Sequence, residues 1–136
     1  MSSKRKLVDT NLIVRYLVQD HEKHAEAAGK VFDACDRGKV VIVVLPTVLA
    51  ECVFVLESFY EHPRGHIVAA LGRLIASPGV EISGLEIQLD ALHRYQKTRV
   101  HFVDCLIAAT STAQDMPVAT FDEDFQKFAD VRVENE

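Results

Sequence analysis

The sequence lacks the features of membrane and secreted proteins. Its longest uninterrupted apolar run, residues 40–45, is far shorter than the roughly 20 residues of a membrane-spanning helix. The three cysteines form an odd set without paired spacing, which favours buried free thiols over disulfides or zinc ligands. The basic start Lys4-Arg5-Lys6 leads into polar residues rather than into the apolar core of a signal peptide. We therefore expect a cytoplasmic protein with no membrane partner.

The sequence also lacks an excess of positive charge. It has 20 acidic and 15 basic residues, a net charge of -5, which gives no broad electrostatic reason to bind nucleic acid or a membrane surface. Any polyanionic partner must therefore be held locally. No glycine-rich phosphate loop and no Ser-His-Asp arrangement stands out. No tract rich in proline, glycine or serine interrupts the chain, so we expect a single domain spanning residues 1–136.

Short apolar strands alternate with segments of helical periodicity along the whole chain. This order is typical of a parallel sheet with helices on both faces, and it predicts an α/β fold, a three-layer α/β/α sandwich with a central parallel sheet of about five strands. The run Val40–Val44 shows no polar alternation, so we expect a central strand buried on both faces. The predicted strands are residues 6–8, 40–44, 80–82, 117–120 and 131–133.

Four acidic residues lie where a predicted strand ends and a helix begins, or just inside that helix. Asp9 and Asp122 directly follow apolar strands, which places them at the carboxyl edge of a parallel sheet. Glu51 and Asp104 reach the same edge if their helices begin there. Four carboxylates at one edge would form an oxygen-lined site that suits Mg²⁺ or Mn²⁺ better than zinc.

Each of these carboxylates also has a purely structural interpretation. Asp9 and Asp104 are suited to cap a helix, and Asp122 begins an acidic stretch that would complement a helix dipole. Glu51 differs because it is the only charge in a long apolar helix, so we expect it to be buried and to require a cation or a proton. Asp104 is likewise the only charge in its apolar segment.

The histidines and the basic residues give weaker signals. We expect all six histidines to be surface or partly buried residues, and only His101, three residues before Asp104, is near an acidic motif. The basic residues are better explained as solvated surface positions, so none of them is assigned to a site.

The acidic residues belong to four segments whose neighbours are also distinctive. The segments are residues 8–17 (VDTNLIVRYL), the helix with Ala50-Glu51, residues 102–109 (FVDCLIAA) and residues 120–125 (TFDEDF). Together they resemble the PIN-domain ribonucleases, most closely the VapC toxins of toxin-antitoxin pairs, from Leu7 to the last strand. The resemblance implies that the metal-binding and catalytic residues are Asp9, Glu51, Asp104 and Asp122. It also implies accessory positions at Asn11, Thr120 and Asp124.

The resemblance carries expectations about activity and partners. It implies a Mg²⁺- or Mn²⁺-dependent endoribonuclease that hydrolyses RNA phosphodiester bonds as the toxin of a type II toxin-antitoxin system. It implies two protein partners, a small VapB-like antitoxin and a second copy of the chain. A homodimer also fits the apolar positions within residues 53–59 and 67–74, which exceed what one core is expected to bury.

Two other functions are compatible with the sequence. An aspartyl-phosphate phosphotransferase or receiver domain would use Asp9 as a nucleophile, usually beside a second Asp, but here Thr10-Asn11 follows. A PIN-like binding module would keep the fold without catalysis. Metal binding without RNA cleavage would favour the module, and acid-labile phosphate on Asp9 would favour the phosphotransferase.

Overall fold

The computed structural model describes residues 4–134, so the first three and last two residues of the predicted domain lie outside the described part. The chain forms two compact units, Met1–Leu85 and Glu86–Glu136. The first contains β1 (Lys4–Leu7), α1 (Thr10–Val18), α2 (Glu22–Asp36), β2 (Val40–Val44), α3 (Pro46–Ser58), α4 (Arg64–Ile75) and β3 (Val80–Ile82). The second contains α5 (Leu85–Lys97), which begins at the boundary, α6 (Phe102–Gln114), β4 (Val118–Ala119), a 3₁₀ helix (Glu123–Lys127) and β5 (Val133–Glu134).

The first unit contains a three-stranded parallel sheet with β2 in the middle. β2 pairs with β1 in the register Lys4↔Val40 and with β3 in the register Ile42↔Val80. Val40, Ile42 and Val44 are buried, whereas the two valines between them are half-buried. The central position predicted for this strand is confirmed, but only one of its faces is fully covered.

The helices of the first unit begin at residues suited to helix starts. Asp9 caps α1, and Pro46 occupies the first turn of α3, where its missing N–H costs no helical hydrogen bond. Gly38 has a φ of 75°, a conformation that glycine tolerates, in the turn between α2 and β2. The helices and β2 bury a shared apolar core, whose large fully buried side chains include Ile13, Ile42, Leu49, Leu56, Ile67, Leu71 and Ile75.

The second unit combines α5 and α6 with a short parallel pair of strands. β4 pairs with β5 in the register Val118↔Val133. Tyr95 of α5 and Phe102 of α6 are buried and meet edge to face, with ring centroids 6.0 Å apart. These aromatic rings join the two helices into one core.

The α/β class and the parallel pairing predicted from the sequence are confirmed. Residues 4–134 form five strands, as predicted, but their hydrogen bonds divide them into a sheet of three and a sheet of two. Strands β4 and β5 contribute only two residues each, which limits the ladder that they form. The three cysteines are free and buried, as expected. No helix within residues 4–134 combines the length and the apolar character needed to cross a membrane.

Candidate metal centre

Asp9 lies at the N-terminus of α1, directly after the buried residue Val8. Its Oδ1 accepts a hydrogen bond from the backbone N–H of Leu12 at 2.9 Å, so the carboxylate caps the helix. The cap uses one carboxylate oxygen. Asp9 also lines a cleft of about 280 Å³ together with Asn11. Capping and ligand binding are therefore compatible at this residue.

Glu51 is exposed, which contradicts the expectation of a buried carboxylate. The buried face of α3 carries Leu49, Cys52 and Val53, and Glu51 lies outside that face. The expectation was wrong because α3 is apolar on its exposed face as well: Phe54 is 66% exposed. An apolar helix therefore does not imply that every residue on it is buried.

The negative charges of Asp9 and Glu51 both act on the pKa of the buried thiol of Cys52. Burial raises the pKa of Cys52 to about 12, and the negative charges of Glu51 and Asp9 contribute to the rise. The two carboxylates therefore lie near one point of the first unit. Asn11 adjoins both of them, because it lines the cleft with Asp9 and also a cleft of about 270 Å³ that contains Glu51.

Arg15 is a basic residue at this position that the sequence did not assign. It lines both clefts, and its Nη1 donates to Oδ1 of Asp20 at 3.1 Å. The hydroxyl of Tyr60 donates to the other oxygen of Asp20 at 2.9 Å and, together with Arg15, lowers the pKa of that carboxyl. The sequence signal for Arg15 was its i, i+4 spacing from Asn11, which places Arg15 and Asn11 on one face of α1.

Asp104 lies in the first turn of α6 and is half-buried. The helix begins after His101, and no side chain of the described residues caps it, so the capping interpretation of Asp104 does not apply. Burial raises the pKa of Asp104, the charge of Asp122 raises it further, and Asp124 adds a smaller effect in the same direction. His101 lowers this pKa, which agrees with its predicted position near the acidic residues.

Asp122 is held by hydrogen bonds on both sides. Its backbone N–H donates to Oγ1 of Thr120 at 2.9 Å, and its Oδ1 accepts from the N–H of Asp124 at 2.8 Å at the start of the 3₁₀ helix. Thr120 therefore fixes the backbone that carries Asp122. The carboxylate of Asp124 pairs with Lys127 at 3.1 Å, so Asp124 is already engaged with a cation of the protein.

Comparison with known families extends these local observations to the whole chain. The sequence pattern of the PIN domain matches residues 6–131. The chain belongs to the PIN domain family. No protein of curated function matches it. One similar solved structure is VapBC2 from Rickettsia felis bound to a DNA fragment from their promoter; it is 16% identical, with a TM-score of 0.42, over 96% of this chain and 98% of that one. A similarity this distant carries no further inference.

The carboxylates of this PIN domain suit a hard divalent cation by their chemistry. They provide oxygen ligands, which Mg²⁺ and Mn²⁺ prefer, and a cation would stabilise the charged form of Asp104 that burial disfavours. Within residues 4–134, no three His, Cys, Asp or Glu side chains lie close enough together to hold a metal ion. Asp9 and Glu51 lie in the first unit, and Asp104 and Asp122 lie in the second. A pair of carboxylates leaves coordination positions for water, which Mg²⁺ retains in most protein sites.

A cleft of about 510 Å³ in the second unit of this PIN domain was not predicted from the sequence. It opens beside Asp104 and Asp122, between α6 and the segment that contains β4. Its walls are mostly apolar and include Ile107, Met116 and Val118. Sequence alone offered one signal: Met116 is an apolar residue directly before the predicted strand 117–120, which leads to an acidic motif.

Proposed function

We propose that this PIN domain is a metal-dependent endoribonuclease that hydrolyses phosphodiester bonds in RNA. The observation that carries the proposal is the pairing of Asp104 with Asp122. Burial and like charge both raise the pKa of Asp104, and a divalent cation would offset both effects. Groups with perturbed pKa values gather at functional sites. Membership of the PIN domain family supports a nuclease at this coarse level.

The proposed metal ligands and catalytic residues are Asp9, Glu51, Asp104 and Asp122. Bound Mg²⁺ or Mn²⁺ would supply an activated water and would stabilise charge on the phosphate and on the leaving oxygen. Other groups of the protein orient the proposed carboxylate ligands. Thr120 restrains the backbone of Asp122, and the N–H of Leu12 fixes one oxygen of Asp9. Restraint of this kind lowers the cost of organising ligands when the metal and the substrate bind.

The accessory residues have distinct proposed roles. Asn11 lines clefts with both Asp9 and Glu51, so its amide is suited to orient a ligand between them. Asp124 stays peripheral, because its carboxylate pairs with Lys127. The protein has a net charge of -5, and clustered carboxylates repel RNA. A bound cation is therefore needed for substrate binding as well as for chemistry.

We also propose that the domain acts in the cytoplasm as a VapC-type toxin with a small VapB-like antitoxin. The support is the order and spacing of the four acidic motifs along the sequence. An antitoxin arginine opposite the carboxylates would give a two-pronged ion pair of the kind that arginine favours. The check is bacterial growth: the wild-type protein should arrest it, Asp104→Asn should not, and co-expression of a short adjacent reading frame should restore it.

A second copy of the chain is the proposed partner of α3. Phe54 on α3 and Phe59, which directly follows this helix, are 66% and 75% exposed. Two aromatic side chains this exposed leave a large apolar surface in water. Ile67, Leu71 and Leu74, which the sequence also suggested for an interface, are instead buried in the first unit. Light scattering should give a dimer for the wild type and a monomer for Phe54→Ser/Phe59→Ser.

The decisive experiment is cleavage of total cellular RNA with Mg²⁺, Mn²⁺ or EDTA. We expect cleavage with either metal, none in EDTA, and a loss of about 100-fold or more in Asp104→Asn. The matched control is Asp33→Asn, an exposed aspartate on α2 that pairs with Arg37 at the surface. This control should cleave like the wild type.

Three results would contradict the nuclease proposal. Equal cleavage by the wild type in EDTA and by Asp104→Asn would indicate a contaminating or metal-independent activity. Metal binding without any cleavage would favour the non-catalytic PIN-like module. Acid-labile phosphate on Asp9 would instead favour a phosphotransferase.

A further inference from the structure

The cleft beside Asp104 and Asp122 has a size and a chemistry that indicate its ligand. We propose that it binds one nucleoside of a single-stranded RNA, next to the phosphate that is cut. This inference rests on the proposed ribonuclease function and adds a site for base recognition to it. The cleft lies entirely within the second unit.

The volume of the cleft suits a nucleoside better than a metal ion alone or a whole partner helix. At about 510 Å³ it falls within the range of small-molecule sites, roughly 300–1,000 Å³. A metal ion with its waters is much smaller. An α-helix about 10 Å in diameter with a 5.4 Å pitch occupies about 400 Å³ per turn, so the cleft would hold little more than one turn of a partner helix. A nucleoside fits between these limits.

The apolar walls suit the flat face of a base. Met116 and Ile107 are 47% and 40% exposed where they line the cleft, and Val118 and Phe125 form its deeper wall. Leaving Met116 and Ile107 exposed forfeits the free energy of apolar burial, which a bound aromatic ring would recover. Proteins recognise single-stranded RNA by taking up unstacked bases against such surfaces.

Two hydroxyl groups supply polar contacts for the edge of a base. Thr110 lines the cleft and donates its proton to the carbonyl of Leu106 at 2.7 Å, so its oxygen can only accept a further hydrogen bond. Thr120 accepts from the N–H of Asp122 at 2.9 Å, which leaves its own proton to donate. These two hydroxyl groups offer an acceptor and a donor at separate positions, a pattern that can distinguish bases by their amino and carbonyl groups.

The position of the carboxylates orients the nucleoside. Asp104 and Asp122 line the same cleft as the apolar residues. A phosphate can approach these two carboxylates only with a cation between them, whereas the base needs no cation against the apolar wall. The phosphodiester therefore lies at the acidic side and the base at the apolar side. Base preference at the cut site would then depend on this cleft.

Met116 provides a direct probe, because the chain contains only two methionines. The protein is prepared with ¹³C-methyl methionine, and the Met116 signal is assigned with Met116→Leu. The four ribonucleoside 5′-monophosphates are then titrated in turn with Mg²⁺ present. We expect the Met116 methyl signal to shift with at least one of them and to shift less with ribose 5-phosphate, which has no base.

Filling the cleft tests the same proposal through activity. Ala119 is an exposed residue of β4 that lines the cleft, so Ala119→Leu adds bulk without entering the core. We expect KM for a short single-stranded RNA to rise about 10-fold or more, and the base preference at the cut site to change. Ala129→Leu, an exposed position outside the cleft, should leave both unchanged.

The outcomes separate this proposal from the nuclease function. If the wild type cleaves RNA but Met116 does not respond and Ala119→Leu behaves like Ala129→Leu, the nucleoside cleft is wrong and the nuclease stands. If no RNA is cleaved, the nuclease proposal fails, and the Met116 titration alone supports or overturns the cleft. If the Met116 methyl signal shifts with protein concentration and not with nucleotide, the cleft is a contact between copies of the chain. That result would overturn the proposal.

Discussion

Arg94 of α5 binds the carboxylate of Asp130 with both terminal nitrogens, at 2.9 and 2.5 Å, across 36 residues of sequence. The same guanidinium donates to Asp90 at 3.1 Å and lies over the ring of Phe128, 5.3 Å from its centroid. The Arg94 side chain is only 11% exposed, so the ion pairs are partly shielded from water. Arg94 therefore ties α5 to the segment that precedes β5 in the second unit.

Replacement of Arg94 should destabilise the protein. Arg94→Met keeps much of the aliphatic length but removes the guanidinium, which leaves Asp90 and Asp130 without their shared cation. We expect a loss of about 2 kcal/mol in the free energy of unfolding, less than for a fully buried pair because both carboxylates reach solvent. Urea unfolding followed by circular dichroism measures this loss.

The matched control is Arg132→Met. Arg132 also pairs with an aspartate of the second unit, Asp115 at 3.3 Å, but both side chains are exposed. Exposed ion pairs contribute little, so the loss should stay below about 1 kcal/mol. Equal losses for the two variants would show that burial of Arg94 does not strengthen its contacts.

The pH dependence of stability should identify Asp130 as the partner of Arg94. The hydrogen bond from Arg94 lowers the pKa of Asp130 below its ordinary value of 3.8. A carboxylate whose folded pKa is lowered stabilises the fold fully above its unfolded pKa, and this contribution disappears as the pH falls through the folded pKa. The stability difference between wild type and Asp130→Asn should thus be constant from about pH 5 to 7 and shrink below about pH 4. A difference that grows on acidification would contradict this assignment.

The local geometry at Asp9 and Asp122 was predictable, because it depends on residues adjacent in sequence. Asp9 accepts from the N–H of Leu12, and Asp122 accepts from the N–H of Asp124. An aspartate between a strand and a helix can satisfy these N–H groups wherever the chain folds locally in this way. The sequence presented capping and metal binding as alternatives, but the caps use one oxygen of each carboxylate and leave the alternatives compatible.

The exposure of Glu51 and the cleft beside Asp104 were not predictable, because both depend on packing between distant segments. The apolar character of α3 predicts that it contacts other residues, but not which of its faces remains uncovered. The cleft forms between α6 and residues 116–122. No local sequence pattern predicts how far apart these two segments lie. The division of five strands into three and two has the same origin, since strand pairing joins residues far apart in sequence.

The exposure of Glu51 allows function to be separated from stability. Glu51→Gln removes a charge at a solvent-exposed position, so the free energy of unfolding should change by about 0.5 kcal/mol or less. RNA cleavage should nevertheless fall by about 100-fold or more if the carboxylate is a metal ligand. Glu26→Gln, at an exposed position of α2, should affect neither quantity. Full activity of Glu51→Gln would remove Glu51 from the proposed metal site.

Asp104→Asn should stabilise the metal-free protein and abolish its response to Mg²⁺. Burial and the charge of Asp122 raise the pKa of Asp104, so the folded state disfavours this charge at neutral pH, and asparagine removes it. In EDTA the variant should therefore unfold at a higher temperature than the wild type. Saturating Mg²⁺ should then stabilise the wild type, by about 2.7 kcal/mol at 100 times the dissociation constant, and leave the variant nearly unchanged.

Thermal unfolding at neutral pH, with EDTA or with increasing Mg²⁺, gives the unfolding temperature of the metal-free protein and its stabilisation by Mg²⁺ from one set of samples. Asp33→Asn provides the control, because this exposed aspartate pairs with Arg37 at the surface of the first unit and should respond to Mg²⁺ like the wild type. Stabilisation of wild type and Asp104→Asn by equal amounts would mean that Mg²⁺ binds without Asp104. A lower unfolding temperature of the variant in EDTA would mean instead that the Asp104 carboxylate makes a favourable contact in the folded state, contrary to the raised pKa.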